Sequence, residues 1–212
     1  MLNDRDSAVL RSRIYRALAA AFSQPKAETA NLYRVLLELP ANLQSTETPP
    51  DVIRDSESPS LPKLEREYLR LFVGPGHVPC SPYESVYRKD RPDFEKGLVM
   101  GPSTADVRRA YLAAGLDISR TYKDLPDHIS AEMEFMRFLC AEESRLTEEG
   151  NSEDAAKIKK MQREFHKNHI QLWVDDFARC VIHSTTSPYY MAAASALKEF
   201  VKSESNYLAE AV

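Results

Sequence analysis

Glycine is scarce. The 212 residues hold six, and each falls between segments of helical period: Gly74, Gly76, Gly97, Gly101, Gly115 and Gly150. No run of alternating β-branched residues is bounded by hairpin turns either, which argues against a sheet-rich architecture. Cysteine is scarcer still. Cys80, Cys140 and Cys180 are far apart and odd in number, so they make no disulfide framework, and the chain reads as reduced. No segment reaches the apolar length of a membrane span; ALAAAF and MAAASAL are the longest such runs, and both are Ala-rich. The amino terminus, MLNDRDSAVL, lacks the apolar core of a secretory signal. These absences together describe a cytoplasmic protein without a membrane span. A basic block is missing too: 28 Lys and Arg against 32 Asp and Glu leave a net charge of -4, which argues against a surface that tracks nucleic-acid phosphates.

What is present is helical period. One helix is expected over about 7–22, with Leu10, Ile14, Leu18 and Ala21 on one face. A second follows Pro25, burying Leu32, Val35, Leu36 and Leu39, and stops at Pro40. The polar, Pro-rich stretch from about 41 to 60 reads as a connection within a single all-α domain spanning 1–212. A third helix starts near Ser60–Pro62 and buries Leu64, Tyr68, Leu71 and Phe72 before Gly74 ends it. SPYE reads as a capping box, with Ser81 as N-cap, Pro82 first and Glu84 three residues on, opening a short helix through Tyr87. Ser103 is expected to cap the next helix, which carries Val107, Tyr111 and Leu112 and closes at Gly115. Another begins at Pro126–Asp127, with Ile129, Met133, Met136 and Cys140 inward. The stretch from 151 to 184 has no Gly or Pro, so it reads as one long bent helix or two. Ser187–Pro188 opens the last, burying Tyr190, Ala194, Leu197 and Val201.

The loop GPGHVPCSP invites four chemistries. A phosphate loop needs consecutive backbone N–H donors and a following Lys; this loop has Pro at three such positions and no Lys. His77-x-x-Cys80 and Cys180-x-x-His183 have chelating spacing, but nothing in the sequence brings the two pairs together. Cys80 near a helix start could be a nucleophile with His128 as base and Asp127 beside it, although adjacent side chains on a helix diverge. A small metal-binding or Cys-dependent enzyme using His77, Cys80, His128 and Cys180 is therefore the alternative class. The fourth chemistry is recognition. Tyr68, Phe72, Tyr83 and Tyr87 bracket a Pro-stiffened loop, and rings at such a place either fill the core or line an apolar groove for a peptide. In DLPDHISAEMEFM, Asp127 fits an N-cap with His128 in the first turn, or the pair forms the polar mouth of that groove.

Taken in order, these stretches resemble the TorD/DmsD/NarJ family of cytoplasmic maturation chaperones for molybdenum-containing redox enzymes. Tyr68, Leu71 and Phe72 match its first motif, and Asp124, Pro126, Asp127 and His128 its second, followed by AEMEFM. GLVMGPST, FHKNHIQLWVDDF and a late PYY add to the likeness, which runs from about Leu64 to Val201. Leu125 departs from it, standing where many members place the proline of the second motif. The resemblance implies an all-helical fold, no catalytic turnover and no cofactor. It implies as partners the twin-arginine signal peptide and the apo form of a molybdopterin-containing oxidoreductase subunit, held from export until the cofactor is inserted. The peptide-binding residues it implies are Tyr68, Leu71, Phe72, Pro82, Tyr83, Glu84, Tyr87, Asp124, Pro126, Asp127 and His128. A monomer and a homodimer are both compatible with it.

Overall fold

The computed structural model describes residues 3–42, 59–75, 78–92, 97–119 and 122–210. Among them the chain is helical, and its only β-type pairing is one antiparallel bridge between Tyr83 and His128. The expected all-α class holds. Helix α1 spans Asp4–Ala21, and its start is set by Asn3, whose side chain accepts from the Asp6 amide at 2.8 Å. A 3-10 turn, Ala27–Asn31, leads into α2, Leu32–Asn42. Helix α3, Leu61–Tyr68, runs into a π turn at Leu69–Val73. Four residues, Glu84–Tyr87, make α4, and Pro102–Ala113 make α5. The carboxy-terminal half holds α6 (Ile129–Glu148), α7 (Ser152–Asn168), α8 (Val174–Ser184) and α9 (Pro188–Glu210).

Helix α1 packs along α6, α6 along α7, and α9 lies against α8 and α2. Their inward residues merge into one apolar cluster that includes Tyr15, Leu18, Leu36, Leu71, Met136, Trp173, Phe177, Tyr190 and Phe200. Edge-to-face pairs knit it together: Phe22 lies 5.3 Å from Phe177, and Phe72 5.6 Å from Tyr190, ring centre to ring centre. One polar knot sits within the helix layers. Buried Arg11 donates to Glu204 at 2.8 Å, to Gln162 at 2.6 Å and to Glu143 at 3.2 Å, which ties α1 to α9, α7 and α6. The period of α1 does place position 11 on the face of Ile14 and Leu18; only the charge of Arg11 argues against an interior place.

Several expectations need correction. Leu10, Val35 and Leu112 are about half exposed rather than buried, because the core-facing stripe of each helix lies about one position away. Helix α2 continues to Asn42, past Pro40. The capping box at Ser81 does not form; Tyr83 is the N-cap of α4, which begins only at Glu84. Gly101 rather than Ser103 caps α5, while Gly115 closes it as expected, in a left-handed conformation at φ +76° that costs glycine nothing. The 151–184 stretch takes the second of its two expected forms, two helices, parted by a 3-10 turn at Ile170–Leu172. Most of the Pro-rich connection at 41–60 lies outside the described residues.

The largest correction concerns cysteine. Cys80 and Cys180 form a disulfide, with Cα atoms 5.8 Å apart and a sequence separation of 100. It overturns the expectation of a disulfide-free chain. Spacing along the sequence carried no trace of the pairing, which exists only because the residues after Gly74 fold back across α8. Cys140 is free and buried.

Candidate functional site

The two motif stretches meet. The Glu84 amide donates to the Asp127 carbonyl at 3.0 Å, and the Ile129 amide donates to the Pro82 carbonyl at 2.9 Å. Side chains lock the same junction. Asp127 Oδ2 accepts the Ser85 amide at 3.1 Å, so this carboxylate caps α4 across the junction and not its own helix. His128 is the N-cap of α6: its Nδ1 accepts the Ser130 amide at 3.1 Å, which leaves the proton of the neutral ring on Nε2, facing Asp124 Oδ2 at 3.7 Å. The expected roles of these neighbours are thus shifted by one residue. Burial lowers the His128 pKa, with Asp124 and Asp127 opposing, so the imidazole is neutral where a helix start disfavours charge.

Beneath the junction lies a buried ionic cluster. Glu84 is fully buried and accepts from Arg88 and from His169 Nδ1, the latter at 3.0 Å. Arg88 also donates twice to Asp90 at 2.6 Å, which helps to hold the Asp90 carboxyl down at about 2. Glu132, buried beside Glu84, is pushed well above the usual carboxylate range by desolvation and by that neighbour. Trp173 Nε1 donates to its Oε2 at 3.1 Å. With these partners Glu84 cannot offer a free carboxylate at the surface.

Of the implied binding residues, Leu71, Phe72, Pro82, Glu84, Asp127 and His128 are buried, and Tyr68 is 7% exposed. Tyr83, Tyr87, Asp124 and Pro126 are half-buried. Tyr87 tilts against Trp173 at 5.6 Å, away from the motif junction. The reachable cluster is smaller than the motifs suggest. Tyr83 donates to Asp124 Oδ1 at 2.6 Å, and Tyr68 and Tyr122 stand close enough to that carboxylate for it to help push each phenol up to about 12, after burial itself. Tyr122 was not anticipated; it precedes the second motif by two residues and carries no helical or capping signal.

Beside Tyr122 opens a groove of about 990 Å³. One wall is α1 and the start of α2, with Ala17, Ala20, Leu32 and Val35; the other is Leu116, Ile118 and the first half of α6, with Phe135 and Phe138. Its rim carries charges of both signs, among them Arg13, Arg16, Asp117 and Glu134. Tyr122 is among its lining residues, and Tyr68 and Tyr83 are not.

The catalytic and metal alternatives gain little. Cys80 and Cys180 are bonded to each other, and His128 is occupied as a cap. His183 Nδ1 faces the Arg179 carbonyl at 2.7 Å, and His77 lies outside the described residues. Among the described residues no group of three or more His, Cys, Asp or Glu is arranged to hold a metal ion, and no helix is long and apolar enough to cross a membrane.

Comparison with known proteins identifies relatives of the chain. The chain is 29% identical over 148 residues to the selenate reductase assembly chaperone protein of Thauera selenatis, covering 69% of this chain and 71% of that one. It is 25% identical to the perchlorate reductase assembly chaperone protein of Dechloromonas aromatica, over 92% and 88% of the two chains. It is 24% identical to the chaperone protein TorD of Vibrio parahaemolyticus, over 69% and 64%. The crystal structure of a putative redox enzyme maturation protein from Archaeoglobus fulgidus shares the fold, with a TM-score of 0.52 at 24% identity over 91% of this chain and 94% of that one. The model of the nitrate reductase delta subunit family matches residues 18–179, a span that takes in both motifs, the junction between them and most of the groove lining, and to that family, with its TorD and NarJ relatives, this chain belongs.

Proposed function

We propose that this protein is a cytoplasmic assembly chaperone, without catalytic turnover, for a molybdenum-containing oxidoreductase subunit. In this reading it binds the twin-arginine signal peptide of that subunit and holds the apoprotein until its cofactor is in place. The relatives named as assembly chaperones of selenate and perchlorate reductases support the general role. The observation that carries the peptide reading is the groove, which has apolar walls and is lined at Tyr122, a phenol that feels the partly exposed Asp124 carboxylate. A twin-arginine leader places two guanidiniums ahead of an apolar stretch. The apolar stretch would lie between α1 and α6, with Asp124 receiving a guanidinium and Tyr83 and Tyr122 flanking it. Asp127 and His128 then act by holding the junction in shape.

Calorimetric titration with a synthetic leader peptide tests this. Ala20→Leu, which fills the groove, should weaken binding by about tenfold or more, the scale of a lost anchor. Asp124→Asn should weaken it by about two- to fivefold, with a shallower salt dependence, since an exposed pair is worth about 0–1 kcal/mol. A filled groove that binds the peptide as tightly as the parent would refute the reading.

A further inference from the structure

The Cys80–Cys180 pair belongs to neither the groove nor the carboxylate cluster, and its two sulfurs are unequal. Cys80 is fully buried; Cys180 is half-buried and packs against the core cluster. Both arms are held by bonds that do not depend on the disulfide. The Cys80 amide donates to the Leu71 carbonyl at 3.1 Å, and Cys180 sits within α8. The Pro79 carbonyl lies 3.2 Å from Cys180 Sγ, so an acceptor is already in place for the thiol of the reduced form. A pair whose backbones have hydrogen bonds of their own, with one cysteine only half-buried, is suited to open and close.

We propose that Cys180 is a thiol–disulfide exchange site, with Cys80 as its resolving partner and a low-molecular-weight thiol or disulfide as co-reactant. In closing, the Cys180 thiolate attacks one sulfur of a small disulfide and expels the first small thiolate. The Cys80 thiolate then attacks the Cys180 sulfur of the mixed disulfide and expels the second. Two electrons pass from the cysteines to the co-reactant, and the two cysteine protons end on the expelled thiols. Opening is the reverse, and it starts at Cys180 because Cys80 is shielded. The closed form pins the turn after Gly74 to α8. In a compartment that keeps thiols reduced, a bond of this kind is transient, not structural. This inference is independent of what the groove binds.

The test uses the full chain in buffers of reduced and oxidised glutathione, trapped by acid and read by intact mass and peptide mapping. The parent should lose two hydrogens reversibly, with the link mapped to Cys80 and Cys180, and its transient glutathione adduct should sit on Cys180. Cys80→Ser should accumulate one glutathione at Cys180. Cys180→Ser should react about tenfold more slowly or less, as expected of a buried thiol. Closing the bond should slow hydrogen exchange at the Cys80 amide, a local opening that the tether restricts. Adducts forming first on Cys80, or no link under oxidising buffer, overturns the proposal, as does stoichiometric zinc that blocks oxidation in chelator-free protein. The order of adducts in the parent decides the matter even if a serine variant fails to fold.

Discussion

Tyr68 shows how far a single residue can be read in advance. Its place in the first motif was visible, and its direction was not. The sequence leaves the ring as core filler or groove wall; it is 7% exposed and packs edge-on to Phe72 at 5.3 Å. Only the phenol approaches the half-exposed Asp124. Tyr68→Ala should therefore destabilise the protein by about 3 kcal/mol, the usual cost of deleting a buried ring, and lower the melting temperature by about 6–12 °C. Tyr68→Phe keeps the packing and should melt within a few degrees of the parent, as conservative core changes do. Scanning calorimetry separates the two; an alanine variant as stable as the parent would restore the ring to the surface. Arg11 makes the same point in the opposite sense, since a long-range partner such as Glu204 leaves no local signal.

At the scale of elements, the helices were legible because Pro and Gly punctuate them, while their joints were not. The third helix was expected to run unbroken to Gly74. Instead the Gly74 amide reaches back to the Leu69 carbonyl at 2.8 Å, five residues away, and the widened turn buries Leu71 and Phe72 while exposing Leu69 and Val73. Gly74 sits at φ +94°, so Gly74→Ala should cost about 1–2 kcal/mol, read as a lower urea midpoint at unchanged slope. The junction of α4 and α6 supplies a second test. Asp127→Ala removes the oxygen that caps α4 and should cost about 1 kcal/mol, whereas Asp127→Asn keeps a capping oxygen. Because Asp127 is fully buried, the Asn variant should bind a leader peptide as the parent does. Weakened binding at unchanged stability would return Asp127 to the contact surface. Pairings such as Tyr83 with His128 join segments some forty-five residues apart, a register that no local period encodes.

The whole molecule carries its buried titrations in opposite senses. His166 is buried, with Nε2 at 2.8 Å from Ser205 Oγ, and desolvation brings its pKa down to about 4. His128 is lowered as well. For a histidine with a depressed folded pKa, the unfolded chain binds more protons between the two values. Stability is then intact above about 6.5 and falls as pH drops toward 4. His166 alone should contribute about 3 kcal/mol of that loss. Urea titrations at pH 7 and pH 4.5 should show a marked acid weakening that His166→Gln reduces; equal slopes in both proteins would contradict it. Glu132 runs the other way, because its raised pKa favours the folded state at low pH and that advantage fades as pH climbs above about 4.5. Glu132→Gln should accordingly match or exceed the parent in stability at pH 7, with calorimetry as the check.

One wall of the groove is made of alanines, Ala17, Ala19 and Ala20, on a helix anchored elsewhere by Tyr15, Leu18 and Arg11. Its breadth is therefore a matter of methyl groups. Exchanging one alanine for serine, valine or glycine would reshape the space a guest must fill while leaving the α1–α6 contact largely intact. On the proposed reading, a handful of such exchanges would change which leader peptides the groove accepts, without a new fold and without a new charge.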